Sequence, residues 1–286
     1  MNRINSQKLR EFCSQTFRTA PGTRIRSVEQ AVAYAEERGF LFFWPISGIT
    51  LPNLWTAVAG DRPVADAHDD PGHVTWGWKD SLLGERKWYY AKVLRKKSTI
   101  ISLDVVPYFY ALSENYGSYE DDYLTLYEQG RMSQEARLIY EALLNEGTLD
   151  TVELRQTTHL TSRESDSRFN RALTELQTDF KILPVGTTRS GGWNYAFAYD
   201  IVARHFPDLP DRAHPIGLKE ARQKLIEVYF RSVGAAQLRD ITKLFGWSAS
   251  QAERSVDALV AEGLLHKGVE RDDQPGEWIT LSKLVS

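Results

Sequence analysis

LKEARQKLIEVYFRSVG (218–234), AAQLRDITKLFGW (235–247), SASQAERSVDALVAEG (248–263) and LLHKGVERDDQPGEWITLSKLV (264–285) run on from one another, and their patterning decides the fold. Leu225, Val228 and Tyr229 recur at helical spacing in the first stretch, Leu238, Ile241 and Leu244 in the second, and Ala252, Val256, Leu259 and Val260 in the third. The fourth reads as strand, polar turn, strand. Helix, short helix, longer helix and a two-stranded wing is the winged-helix plan, a variant of helix-turn-helix.

The same order can be laid over the preceding segment. MSQEARLIYEALLNEG (132–147) places Leu138, Ile139, Ala142 and Leu143 on one face, between a Ser133 N-cap and a Gly147 C-cap. LDTVELRQTTHL (149–160) is a short helix, and SRESDSRFNRALTELQTDF (162–180) a longer one with Phe169, Leu173, Leu176 and Phe180 in a stripe. KILPVGTTRSGGWNYAFAYDIV (181–202), with Trp193 at its turn, is a hairpin. FPDLPDRAHP (206–215), with three prolines, reads as the connection between the two copies.

Upstream, SVEQAVAYAEERG (27–39) is an amphipathic helix opened by a Ser27–Gln30 capping box. FLFFWPI (40–46) is a buried strand, and SGITLPNLWTAVAG (47–60) a turn and short helix. The aromatic and basic stretch after it predicts helix over 81–91 and strand over 98–103. The expected fold class is mainly α with small β-hairpins (α+β), as tandem winged-helix units. Residues 1–130 form an N-terminal unit with insertions, 131–205 a second winged helix, 206–217 a linker and 218–286 a third winged helix.

Composition narrows the function. The 286 residues are 42% hydrophobic and 12% aromatic with net charge −3, which supports large cores and excludes a disordered chain. No apolar run reaches membrane-spanning length, so no membrane partner is expected. The N-terminus lacks a signal-peptide core, which predicts a cytoplasmic location. One cysteine, Cys13, excludes a disulfide framework and a cysteine zinc site; its basic surroundings would lower its pKa. No phosphate-cradling glycine loop and no Gly-x-Ser-x-Gly elbow occur, and neither cofactor nor metal is expected. HDDPGH (68–73) could hold a metal but reads first as a polar turn.

The balanced total conceals local basic regions. Residues 1–26 hold six bases and one acid, and residues 79–97 seven bases and two acids. Lys79, Arg86, Lys87, Lys92, Arg95, Lys96 and Lys97 are interleaved with Trp78, Trp88, Tyr89 and Tyr90, next to Trp76. That mixture suits phosphate contacts plus base stacking; the alternative is an aromatic core with a basic rim. On the recognition helices Arg168, Arg171, Gln251 and Arg254 are candidate DNA contacts, among several acids. ENYGSYEDDYLTLY (114–127) is acidic and would repel DNA.

EGTLDTVELRQ (146–156), RALTELQTDFKILPVG (171–186) and VGAAQLRDITKLFGWSASQAERSVDALVAEGLL (233–265) resemble the second and third units of the winged-helix DNA glycosylases of the AlkZ/YcaQ type. The stretch 40–130 looks like a related subgroup. The resemblance implies three winged-helix units and excision of alkylated bases. It implies a Gln-x-Gln or Gln-x-Asp pair that activates water, on the strand after the first unit's glycine. Laying Gly39 on that glycine puts Phe42 and Trp44 at the pair, and no Gln or Asp lies between residues 40 and 60. Three readings follow. The chain binds double-stranded DNA, damaged or distorted, without the usual chemistry. Or it is an active glycosylase with Asp61, Asp69 or Asp70 as substitute carboxylate. Or it is a protein-interaction module, its partner another protein.

Overall fold

The structure, a computed structural model, describes residues 3–113, 115, 118–191 and 194–285. Trp193, and Glu114 and Tyr116 of the acidic stretch, lie outside the described residues. β1 (Arg3–Ile4) and α1 (Ser6–Thr16) come first. A run of α2 (Val28–Arg38), β2 (Phe40–Phe42), α3 (Leu54–Ala59), α4 (Val74–Leu82), β3 (Tyr89–Lys92) and β4 (Ser98–Ile101) follows. α5 (Val106–Tyr110) and α6 (Asp122–Glu128) lead into a second run: α7 (Gln134–Glu146), β5 (Leu149–Asp150), α8 (Thr151–Thr157), α9 (Asp166–Thr178), β6 (Ile182–Thr188) and β7 (Ala196–Ile201). Two short helices, α10 (Val202–His205) and α11 (Leu209–Ala213), precede the third: α12 (Leu218–Val233), β8 (Ala235–Ala236), α13 (Leu238–Phe245), α14 (Ala249–Ala261), β9 (Leu265–Arg271) and β10 (Trp278–Leu281). The order helix, strand, helix, helix, strand, strand thus occurs three times.

In every run the last strand is central: β2-β4-β3, β5-β7-β6 and β8-β10-β9. β1 adds a parallel edge to β9, pairing Arg3 with Glu270, so the N-terminus belongs physically to the third run. The first sheet is buried on both faces. Phe40, Phe42, Tyr89, Ala91 and Ile101 enter a core shared with α12, α13 and α14. Leu41, Phe43, Trp88, Tyr90 and Ile100 enter a second core with α2 and α3. Period-two alternation between two apolar faces leaves no polar positions, hence the unbroken run FLFF.

Local signals behave as physics requires, with two departures. Ser27 caps α2 by accepting from Gln30 N at 3.3 Å, but the Gln30 carboxamide accepts from Arg26 N rather than closing the box on Ser27. Helix over 81–91 is replaced by α4 ending at Leu82 and strand β3 beginning at Tyr89. Gly84 and Arg86 between them both take positive φ, which stops a helix, and the β-forming Trp88–Ala91 pairs along β4. The expected linker is also more than a spacer: Phe206, Leu209 and Ala213 are buried in the shared core.

That core holds the runs together through one residue. α9 ends in a turn closed by Lys181 N donating to Leu176 O at 2.9 Å; α14 ends alike, with Leu264 N donating to Leu259 O at 3.0 Å. The left-handed position is Gly263 in the third run (φ 74°) and Phe180 in the second (φ 55°). A side chain there costs about 1–2 kcal/mol. Phe180 offsets it by stacking on Tyr89 at 5.0 Å and on Phe109 at 6.3 Å, with Tyr110 edge-on at 6.2 Å. Burying such a ring is worth roughly 1.5–3 kcal/mol, and the aromatic pairs add to it.

Two substitutions separate these opposing effects. Phe180→Ala removes the ring and keeps the strain, with an expected loss of about 3–5 kcal/mol in urea unfolding. Phe180→Gly removes both, and should be no less stable than Phe180→Ala despite glycine's usual penalty. A glycine variant clearly weaker than the alanine variant contradicts the strain account.

Candidate nucleic-acid interface

The aromatic and basic stretch divides into an interior part and an exterior part. Lys79, on α4, is 4% exposed. Its ammonium pairs with Asp80 at 2.7 Å and donates to the Tyr195 hydroxyl at 2.9 Å, which itself donates to Asp80 Oδ1 at 2.9 Å. The rings of Phe197, Trp76, Tyr195, Tyr90 and Phe43 surround it at 4.4–5.9 Å. Burial pushes the Lys79 ammonium below its ordinary pKa although Asp80 opposes the shift. Lys79, expected to meet phosphate, therefore ties α4 to the second run's hairpin instead.

Phe42 is buried in the shared core, and Trp44 is half-buried, with its ring 5.7 Å from Phe43 and 5.9 Å from Trp76. Neither side chain offers a carboxylate or carboxamide to a water. Asp61 and Asp69 are exposed on the loop between α3 and α4. Asp70 is engaged: it accepts from Arg62 at 2.6 Å and from Gly72 N at 2.7 Å, and the Arg62 bond holds its carboxyl below the usual range. His73 bonds the Ala65 carbonyl at 2.9 Å. Among the described residues no three His, Cys, Asp or Glu side chains converge as metal ligands.

The N-terminal basic block is largely neutralised in place. Arg3 pairs with Glu270, Arg10 with Asp273 and Arg18 with Glu37, while Lys8 donates to the Lys283 carbonyl. Cys13 packs beneath it, its thiol 3.4 Å from Val233 O, and burial pushes the thiol up to about 11, opposite to the lowering expected from its basic neighbours.

The second basic block keeps its other cations outside. Arg86, Lys87, Lys92, Arg95, Lys96 and Lys97 are exposed on the turn before β3 and the β3–β4 hairpin. Arg95 and Lys96 both adopt left-handed φ, 55° and 59°, a strained pair of non-glycine residues. Partial burial, and then the charge of Lys97, push the Lys92 ammonium below its ordinary value. The hairpin is fastened to the end of α9: Lys92 N donates to Gln177 Oε1 at 3.1 Å, and Thr178 Oγ1 donates to Lys92 O at 3.0 Å. The cations of the first run are thereby joined to the long helix of the second.

The recognition-helix candidates fare unequally. Arg171 is exposed on α9, but Arg168 pairs with Glu135 at 2.9 Å. Gln251 is occupied as a helix cap, its Oε1 accepting from Ser248 N at 3.0 Å. Arg254 is exposed on α14, whose acids Glu253 and Asp257 are bridged by Lys267. The acidic stretch does not stand free: Tyr123 of α6 is buried against α7, and Tyr140 donates to Tyr119 O at 2.8 Å.

One feature could not be read from sequence. Where the three runs meet lies a cavity of about 480 Å³. Arg95 and Lys96 of the hairpin, Thr178–Lys181 after α9, Leu112, Ser113 and Arg131 of the α5–α7 segment, and Phe245 and Trp247 after α13 line it. Those last two rings stack at 4.3 Å, and the Arg222 guanidinium lies 6.0 Å from Trp247.

A family model described as AlkZ related matches residues 25–246. Among solved structures, the DNA glycosylase AlkZ of Streptomyces sahachiroi has a similar fold, with a TM-score of 0.61 at 13% identity over 98% of this chain and 71% of that one. No curated protein sequence matches significantly. Among the described residues no helix is long and apolar enough to cross a membrane.

The buried phenols around Lys79 fix an alkaline limit. Burial pushes Tyr90 up to about 12 and Tyr195 and Tyr199 further. Unfolded tyrosines ionise near about 10, so the stability they contribute is complete below that pH and is lost as pH rises towards their folded values. Lys79, depressed by burial, works the other way, and as a single group it is outweighed. The urea midpoint should fall steeply above about pH 10, and less so in Tyr90→Phe. An identical alkaline slope in that variant contradicts the assignment.

Proposed function

The chain belongs to the AlkZ-related family, and from that premise we propose that it is a cytoplasmic tandem winged-helix protein that binds double-stranded DNA, damaged or distorted, without the family's usual glycosylase chemistry. Units at 1–130, 131–205 and 218–286, with 206–217 between them, are the proposed organisation. The observation that carries the binding reading is the exposed cationic hairpin fastened to α9. Arg86, Lys87, Lys92, Arg95, Lys96 and Lys97 stand together, and Arg171 extends the positive charge along α9. Such a surface meets a phosphate backbone with little sequence preference. Arg254 would be a further contact.

Against catalysis at the family's position stand Phe42 and Trp44, two apolar side chains where a polar pair would hold water. Asp70, tied to Arg62 and held ionised, is a weak candidate for a tuned general base, which leaves Asp61 and Asp69 as exposed carboxylates. For an active site they would need a substrate to exclude water around them.

Fluorescence anisotropy with duplex DNA tests binding. Affinity should drop steeply between about 50 and 200 mM salt. Changing Arg86, Lys87, Lys96 and Lys97 together to Gln should lower the log–log slope by roughly three, at about 0.9 per phosphate contact. No binding at low salt would favour a protein-contact module.

An alkylated duplex tests the chemistry, with no free base expected after incubation. Release that Asp61→Asn, Asp69→Asn or Asp70→Asn abolishes would instead establish a substitute carboxylate.

A further inference from the structure

We infer that the cavity at the junction of the three runs is a binding site for a nucleoside monophosphate, a planar heteroaromatic ring carrying a phosphate. Its volume of about 480 Å³ lies within the roughly 300–1,000 Å³ usual for small-molecule sites. Its walls are of two kinds. On one side Phe245 and Trp247 lie parallel, 12° apart, with the Trp247 ring half-buried. A half-buried indole at a cavity wall is a stacking platform that accepts any nucleobase, because every base has a π face.

On the other side Arg95 and Lys96 reach the cavity from the hairpin, Arg131 from the segment before α7, and Lys181 from the end of α9. Four cations against the single carboxylate of Asp179 give the lining a positive excess. Lys181 is 2% exposed, so part of that charge sits away from bulk water, where an anion is held more strongly. Arg95 and Lys96 hold their positions at the expense of two consecutive left-handed backbones. Strain of that kind persists where the surroundings over-determine it, and it clusters at ligand sites.

The ring and the phosphate are both required by this lining. A bare anion leaves the aromatic wall unused, and a bare nucleoside leaves the cations unpaired. Because the cavity is built from all three runs, an occupant would also tie them to one another and raise the melting temperature. The inference does not depend on duplex binding. Arg95 and Lys96 serve both surfaces, but Trp247 belongs to the cavity alone.

Isothermal titration of the full chain with AMP, adenosine, ribose 5-phosphate and inorganic phosphate tests it. AMP should bind at least about tenfold more tightly than each of the other three. Lys96→Gln should weaken AMP about three- to tenfold and leave adenosine unchanged, as loss of one charge-assisted contact requires. That residue is exposed in a strained turn, so folding should survive, and the melting temperature without ligand checks it. Trp247→Leu should weaken AMP and adenosine alike while duplex affinity stays at the wild-type value. A 5′-phosphorylated single strand that competes with AMP would mean that a strand end uses the same chemistry. Failure of AMP to bind at about 1 mM, or binding no tighter than inorganic phosphate, overturns the site. Duplex binding that persists in that case leaves the DNA reading standing, and AMP binding without duplex binding does the reverse.

Discussion

The stack of Tyr89, Phe180 and Phe109 is the contact on which the architecture turns. Tyr89 comes from the first run, Phe180 from the second and Phe109 from the segment joining them, and all three enter the core built on α12 and α13 of the third. Helical repeats that contacted each other only through linkers would move independently. Here a ring held in a left-handed backbone conformation forces α9 to end against the first sheet. Gly39 makes the complementary demand from the other side. A Cβ there would lie 2.5 Å from Val228 Cγ1, so only glycine lets α2 end against α12. The cavity lies beside this junction for the same reason. Three rigid elements converging on one stack leave a gap that no single side chain fills.

Charge follows from the same geometry. The two basic blocks are equal in sequence and unequal in structure. The first borders α1, which lies along the acids Glu270, Asp272 and Asp273 of the third wing, and it is consumed in pairing. The second lies on a hairpin whose nearest neighbour is the end of α9, and its exposed cations find no acid of comparable proximity. A net charge of −3 is therefore compatible with a concentrated positive surface, because the surplus acids are spent elsewhere on the chain.

The second and third runs were legible because their helices are amphipathic and face solvent on one side, so the apolar stripe marks both period and orientation. Ile139, Ala142 and Leu143 are buried as their spacing predicts, as are Phe169, Leu173, Leu176, Ala252, Val256 and Leu259. The first run was less legible, since its strands are covered on both faces and lose the alternation that separates strand from helix. In WKDSLLGERKWYYAK (78–92) the break at Gly84–Arg86 depended on backbone φ, which Arg does not announce. Lys79 was unreadable for a different cause. Its neighbours Tyr195 and Phe197 lie more than a hundred residues away, and only the tertiary fold brings them round its ammonium. The candidate cations on the hairpin were legible by composition, but the cavity behind them was not, because its lining comes from every part of the chain.

The apolar residues at 42 and 44 bear on chemistry through the same two-sided burial. Phe42 belongs to the shared core at 1% exposure, with its N–H donating to Pro52 O and its ring among residues of the third run. A carboxamide at that point would be desolvated without partners, at roughly 1–3 kcal/mol. Conversely, an exposed polar pair would require the first sheet to open one face to solvent, and the core that joins the first run to α12 would lose its floor. The closed junction and a polar water-holding pair on this strand are thus alternatives. In this chain the strand has been given to packing, and the polar and cationic groups stand at its edges, on the hairpin and on the loop between α3 and α4.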